Sequence, residues 1–167
     1  AAVEVADKRL RERFKGRFKI AKRDYRLLPN ALAQVGIPRI SGAILDLGIS
    51  SRQIDDPRRG FSYRSDALLD MRMNPEGERT ARDVLNDASE AELETINTTE
   101  DLVGTLLGAI PPKARRGKTH PARRVFQALR IAVNDELSRL KGTLEKIYEL
   151  LEPGGVLLVI SYHSLED

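Results

Sequence analysis

Between Gly42 and Gly48 the chain runs Ala43-Ile44-Leu45-Asp46-Leu47, apolar except for one carboxylate. So short a run, closed by glycine at both ends, predicts a strand buried on both faces, as in a parallel sheet. A carboxylate is out of place in such a core. In open α/β sheets ligands bind beyond the carboxyl ends of the strands, so Asp46 is where a ligand or a reacting group would be met. Gly48 then lets backbone approach whatever Asp46 holds. The same Asp can instead do no more than cap the next turn through Ser50 or Ser51.

A second wholly apolar strand is predicted at Val156 to Ile160, after a stop and tight turn at Pro153-Gly154-Gly155. The polar cluster Ser161-Tyr162-His163-Ser164-Leu165-Glu166-Asp167 follows it, at the same sheet edge as Asp46. Ahead of the first strand, Val3, Val5, Ala6, Leu10 and Phe14 fall at helical spacing among basic residues, and Gly16 ends that helix. Arg17 to Ala21 reads as a short strand with Asp24-Tyr25 at its carboxyl end, and Leu27 to Val35 as a helix with Pro29 in its first turn. Helix and strand thus alternate, the signature of an α/β fold with a parallel sheet.

The stretch from Arg52 to Pro75 is too long and irregular for a simple connection, and long loops inside domains are usually functional. It interleaves arginines with Phe61, Tyr63, Met71 and Met73. Guanidinium groups for phosphates and flat rings for stacking are what single-stranded or flipped-out bases require. Capping patterns at Thr80/Asp83, Ser89/Glu92 and Thr98/Asp101 predict a small unit of short helices. Lys113, Arg115, Arg116, Lys118 and His120 follow without apolar partners, as either a solvated loop or a phosphate-contacting one. Apolar residues from Phe126 to Leu151 at steps of three and four then predict one long helix from about Arg123 to Glu152.

A length of 167 residues suits one core, with or without an insertion. The absence of cysteine excludes disulfides, thiolate catalysis and Cys-based zinc sites, and suits a reducing compartment, by default the cytoplasm. The two histidines, at 120 and 163, have no third metal ligand at a useful spacing. Net charge is only +3, but the pI of about 9.3 comes with clustered basic residues and points to a polyanionic partner. Neither a Gly-x-Gly-x-x-Gly nor a Gly-Lys-Ser/Thr phosphate loop is present to name a cofactor.

Several long motifs occur in a fixed order: Leu45-Asp46-Leu47-Gly48-Ile49-Ser50-Ser51-x-Gln53, Arg59-Gly60-Phe61-Ser62-Tyr63-Arg64, Leu69-Asp70-Met71-Arg72-Met73, His120-Pro121-Ala122-Arg123-Arg124 through Leu137, and Pro153 through Asp167. Together they resemble the bacterial ribosomal RNA small-subunit methyltransferase H family, also called MraW. The resemblance implies an incomplete Rossmann-like S-adenosylmethionine-dependent methyltransferase core with an inserted helical domain. It implies methylation of N4 of a cytidine in the decoding region of 16S rRNA. Carried onto matching positions, it makes Tyr25, Asp46 and Gln53 cofactor contacts. Residues 1–57 and 123–167 would form the core, and 58–122 the substrate-recognition insertion. The family's glycine-rich loop and ribose-binding acid precede its counterpart of the first helix here, and its helical stretch is longer where Ile96 meets Asn97. Segments are therefore expected to be missing before Ala1 and between Ile96 and Asn97. Ala67-Leu68 also replaces the family's usual Gly-Pro.

The N4 lone pair of cytosine is delocalised into the ring, so the amine must be placed close to the methyl group and have its proton accepted as it pyramidalises. Asp46 and His163 are the candidate catalytic residues for that step. Arg64, Arg72, Arg115, Arg116, Lys118, His120 and Arg124 are the candidate RNA contacts, expected to line a cleft with Asp46 and His163 at its floor. A non-catalytic RNA-binding or regulatory fragment and a methyltransferase acting on DNA or protein remain alternatives.

Overall fold

A computed structural model describes residues 2–87, 96–113, 115 and 120–162. Its two long apolar segments lie side by side as parallel strands, β1 (Ile40–Asp46) and β2 (Leu151–Ile160). The register pairs Gly42 with Val156 and Asp46 with Ile160, so both strands stop at one edge. A register shift falls between Ile40 and Gly42. Pro153-Gly154-Gly155 lies inside β2 rather than before it, and Gly154 has φ +83°. A Cβ on Gly155 would come 2.9 Å from the Glu152 carbonyl oxygen, which explains a glycine there.

One expectation fails at this sheet. β1 is not buried on both faces: Ile44 is 71% exposed, and Val156 and Leu158 of β2 are exposed as well. Among the described residues the sheet has two strands, and no layer covers these side chains. Arg17 to Ala21, expected as a strand, forms none, because no neighbour offers it a ladder.

The chain divides into two units. The first comprises Ala1–Asp46 and Arg139–Ile160. It holds α1 (Ala2–Phe14), a 3₁₀ turn (Tyr25–Leu27), α2 (Leu28–Gln34), both strands and most of α7 (Glu136–Leu150). On α1 the half-buried apolar positions are Val3, Ala6, Leu10 and Phe14, whereas Val5 faces outward. Leu140, Thr143 and Ile147 share one buried face of α7.

The second unit comprises Leu47–Ser138 and Ser161–Asp167. It contains α3 (Ser51–Asp55), a 3₁₀ turn (Pro57–Arg59), α4 (Ala81–Asp87), α5 (Thr99–Ala109) and α6 (Ala122–Asn134). Its core joins Phe61, Leu69 and Met71 of the long loop to Ala81, Leu102, Ala122, Phe126 and Leu129 of the helices. Two of the expected capping patterns form. Thr80 and Asp83 bond reciprocally at the start of α4, as do Thr98 and Asp101 at α5. The Ser89/Glu92 pattern lies outside the described residues.

The single long helix expected from Arg123 to Glu152 is instead two, α6 and α7, broken at Asp135 with φ +49°. Buried Asn134 explains the break. Its Oδ1 accepts from the Met73 N–H at 2.6 Å, while its Nδ2 donates to the carbonyls of Met71 and Arg130 at 2.8 Å. Helical periodicity continues through this point, but the amide is needed sideways to satisfy the loop backbone. Met71 itself, fully buried, has φ +56°. Gly60, with φ +64°, closes the same knot, and a Cβ there would lie 2.8 Å from the Asp70 nitrogen.

Candidate functional site

Asp46 ends β1 with its side chain exposed, level in the ladder with Ile160. The sequence expectation of a strand-end carboxylate holds, but the surroundings differ: this carboxylate meets solvent rather than an apolar core. His163 follows β2 by three positions and lies outside the described residues, as do Arg116 and Lys118. The turns after the two strands come close to each other. A Cβ on Gly48, at φ +90°, would stand 3.5 Å from the exposed ring of Tyr162.

Tyr25 opens the 3₁₀ turn and is 39% exposed. Asp24 caps that turn, taking the Arg26 N–H at 3.0 Å and holding the Arg26 guanidinium at 2.8 Å. These Arg26 bonds keep the Asp24 carboxyl below its usual range despite partial burial. Gln53 lies in the first turn of α3, where its Oε1 accepts from the Ser50 N–H at 2.9 Å and the Ser50 hydroxyl at 3.0 Å. Its carbonyl end thus caps the helix, and its NH₂ end can still donate.

The arginine-and-ring loop turns out to be two populations. Phe61 and Met71 are core, and Met73 packs against them. Arg59 donates to the carbonyls of Arg72 and Met73, at 2.7 and 3.1 Å. Arg72 holds Asp70 with two guanidinium bonds, at 3.0 and 2.7 Å, and donates a third to the Gly77 carbonyl. Burial pulls the Asp70 carboxyl upward, but the Arg72 side-chain and backbone bonds and its charge together hold it below the ordinary value. Asp56 and Arg58 repeat this arrangement, and the Arg58 hydrogen bond lowers the Asp56 carboxyl. Asp-x-Arg is therefore a local clamp used at Asp24, Asp56 and Asp70, a signal the sequence contained and the reading by composition missed.

The second population, Arg64 of this loop together with residues of the segment leading into α6, is exposed. Arg64 and Arg124 are exposed, and Arg115 is exposed with its Nε on the Ile110 carbonyl at 2.7 Å. His120 is exposed too, and its ring stacks on Tyr63 with centroids 4.7 Å apart and planes 13° from parallel. Tyr63 in turn meets Phe126 edge-on at 5.7 Å. Among the described residues no group of His, Asp and Glu is placed to hold a metal ion, and no helix is long and apolar enough to cross a membrane.

Comparison with known proteins follows the same residues. A model of the MraW methylase family matches residues 1–97 and, separately, 92–167. The chain is 41% identical over 193 residues to a ribosomal RNA small subunit methyltransferase H of Ruminiclostridium cellulolyticum, covering 99% of this chain and 62% of that protein. It is 42% identical over 194 residues to a protein of the same description from Heliobacterium modesticaldum, covering 100% of this chain and 62% of the relative. The chain spans about 62% of the length of the curated relatives it matches.

Proposed function

The chain belongs to the MraW methylase family, and from that premise we propose that the protein transfers a methyl group from S-adenosylmethionine to N4 of a cytidine in the decoding region of 16S rRNA, within the small ribosomal subunit. The observation that carries the reading is Asp46, an exposed carboxylate at the shared end of two parallel strands. Ligands of α/β sheets are met at that edge.

The side chains suit the cofactor chemically. Tyr25 presents a partly exposed ring, Asp46 an acceptor for hydroxyl or amine protons, and Gln53 a carboxamide donor. When bound, S-adenosylmethionine supplies an electrophilic methyl group on a sulfonium. Asp46 accepts a hydrogen bond from the exocyclic amine, which keeps electron density on N4 and takes up the proton it sheds. His163, three positions beyond β2 in the sequence, is the second acceptor. Arg64, Arg115, Arg116, Lys118, His120 and Arg124 hold the RNA; Arg72, bonded to Asp70 and the Gly77 carbonyl, steadies its own loop.

The test is transfer of labelled methyl from S-adenosylmethionine to small ribosomal subunits, to DNA and to protein. Label in the small-subunit RNA alone is expected. Label in DNA or protein would redirect the substrate assignment, and RNA binding without methyl transfer would favour the non-catalytic alternative.

A further inference from the structure

Among the residues of the second unit, His120 is placed on the RNA by the proposed function, but how it would hold the RNA is not yet assigned, and its stack on Tyr63 is a defined geometry. Tyr63 is fixed from behind by Phe126, itself 4% exposed, in an edge-to-face contact. His120 is fixed from the side: its Nδ1 accepts the Ala122 N–H at 3.2 Å, at the start of α6. In the neutral ring the proton therefore sits on Nε2. One face of the imidazole is covered by Tyr63, and the residue as a whole is still exposed. Exposed Arg64 follows Tyr63 in sequence, and exposed Arg123 and Arg124 stand in the first turn of α6. A flat, exposed ring with its orientation fixed and exposed basic residues close by in the chain matches what an unpaired base and its phosphates require.

We propose that the face of His120 turned away from Tyr63 is a stacking platform for one unpaired base of the RNA substrate, with Arg64, Arg123 and Arg124 taking the flanking phosphates. This rests on the reading of RNA as the substrate. The competing role is structural, an acceptor that only caps α6. Two substitutions separate them because each keeps one property. His120→Phe keeps the ring and loses the acceptor, whereas His120→Asn keeps an acceptor and loses the ring.

Affinity for a fluorescent single-stranded oligocytidylate of about 12 nucleotides would be measured for the wild type and both variants, with Arg124→Glu alongside. Stacking on one base predicts that His120→Asn weakens binding by about ten-fold and that His120→Phe stays within about two-fold of wild type. The reverse order, or wild-type affinity in both variants while Arg124→Glu still weakens binding, would overturn the platform and leave the RNA reading standing. Wild-type protein that fails to bind the oligomer, or binds a DNA duplex better, would overturn the RNA reading and the platform with it.

Discussion

Asp70 shows how a single residue decides what its neighbours are free to do. Its carboxylate takes the Arg72 backbone N–H at 2.9 Å and two bonds from the Arg72 side chain, so this arginine is spoken for before any phosphate arrives. Because the folded Asp70 ionises below its ordinary value, its contribution is present above the unfolded carboxylate pKa. It is lost as pH falls through the lowered folded value. Asp70→Asn should therefore cost about 1–2 kcal/mol near neutrality, with the gap to wild type closing below about pH 4. Urea unfolding across that range checks it; a gap that stays constant or widens in acid would contradict the sign. Interleaved Arg, Phe, Tyr and Met was legible in the sequence as a pattern. How deep each ring goes was not, because Phe61 and Tyr63 are both aromatic, yet Phe61 is buried in the core and Tyr63 only packs against its margin.

At the scale of elements, the legible parts were those whose signal is local. Leu28–Gln34 formed with Pro29 in its first turn, and α4 and α5 began at their reciprocal caps. Apart from the pairing of the two apolar strands, what could not be read was set by partners distant in sequence. Arg17 to Ala21 has strand-like alternation but no ladder, and helical periodicity runs unbroken through Asp135 although Asn134 is claimed by Met71 and Met73. The break makes a prediction with opposite signs in the two architectures. At a left-handed Asp135, Asp135→Gly removes Cβ strain and should raise stability by up to about 1 kcal/mol. In one continuous helix the same glycine would cost about that much. Thermal unfolding of this variant distinguishes them directly.

For the whole molecule, a net charge of +3 is too small to attract RNA without clustering of its basic residues. Arg115 and Arg124 belong to the exposed set of the second unit, whereas Arg11 on α1 is held by Asp7 at 2.6 Å and lies beside exposed Arg13. Each phosphate that is no longer neutralised should flatten the dependence of log affinity on log salt by about 0.7 for a single strand. Arg115→Glu with Arg124→Glu should show this flattening, and Arg11→Glu with Arg13→Glu should not. Equal weakening by both pairs would mean that only overall charge matters.

Asp46 is the residue on which the proposed chemistry turns most directly. The decisive measurement is the N4-methylcytidine recovered from digested small-subunit RNA after reaction with the wild type and with Asp46→Ala, alongside the melting temperature of each. An exposed carboxylate at a strand end contributes little to folding, so the variant should melt within about 2 °C of wild type and lose at least about a hundred-fold in product. A variant that melts several degrees lower yet makes N4-methylcytidine at the wild-type rate would make Asp46 a structural cap and contradict its proposed role.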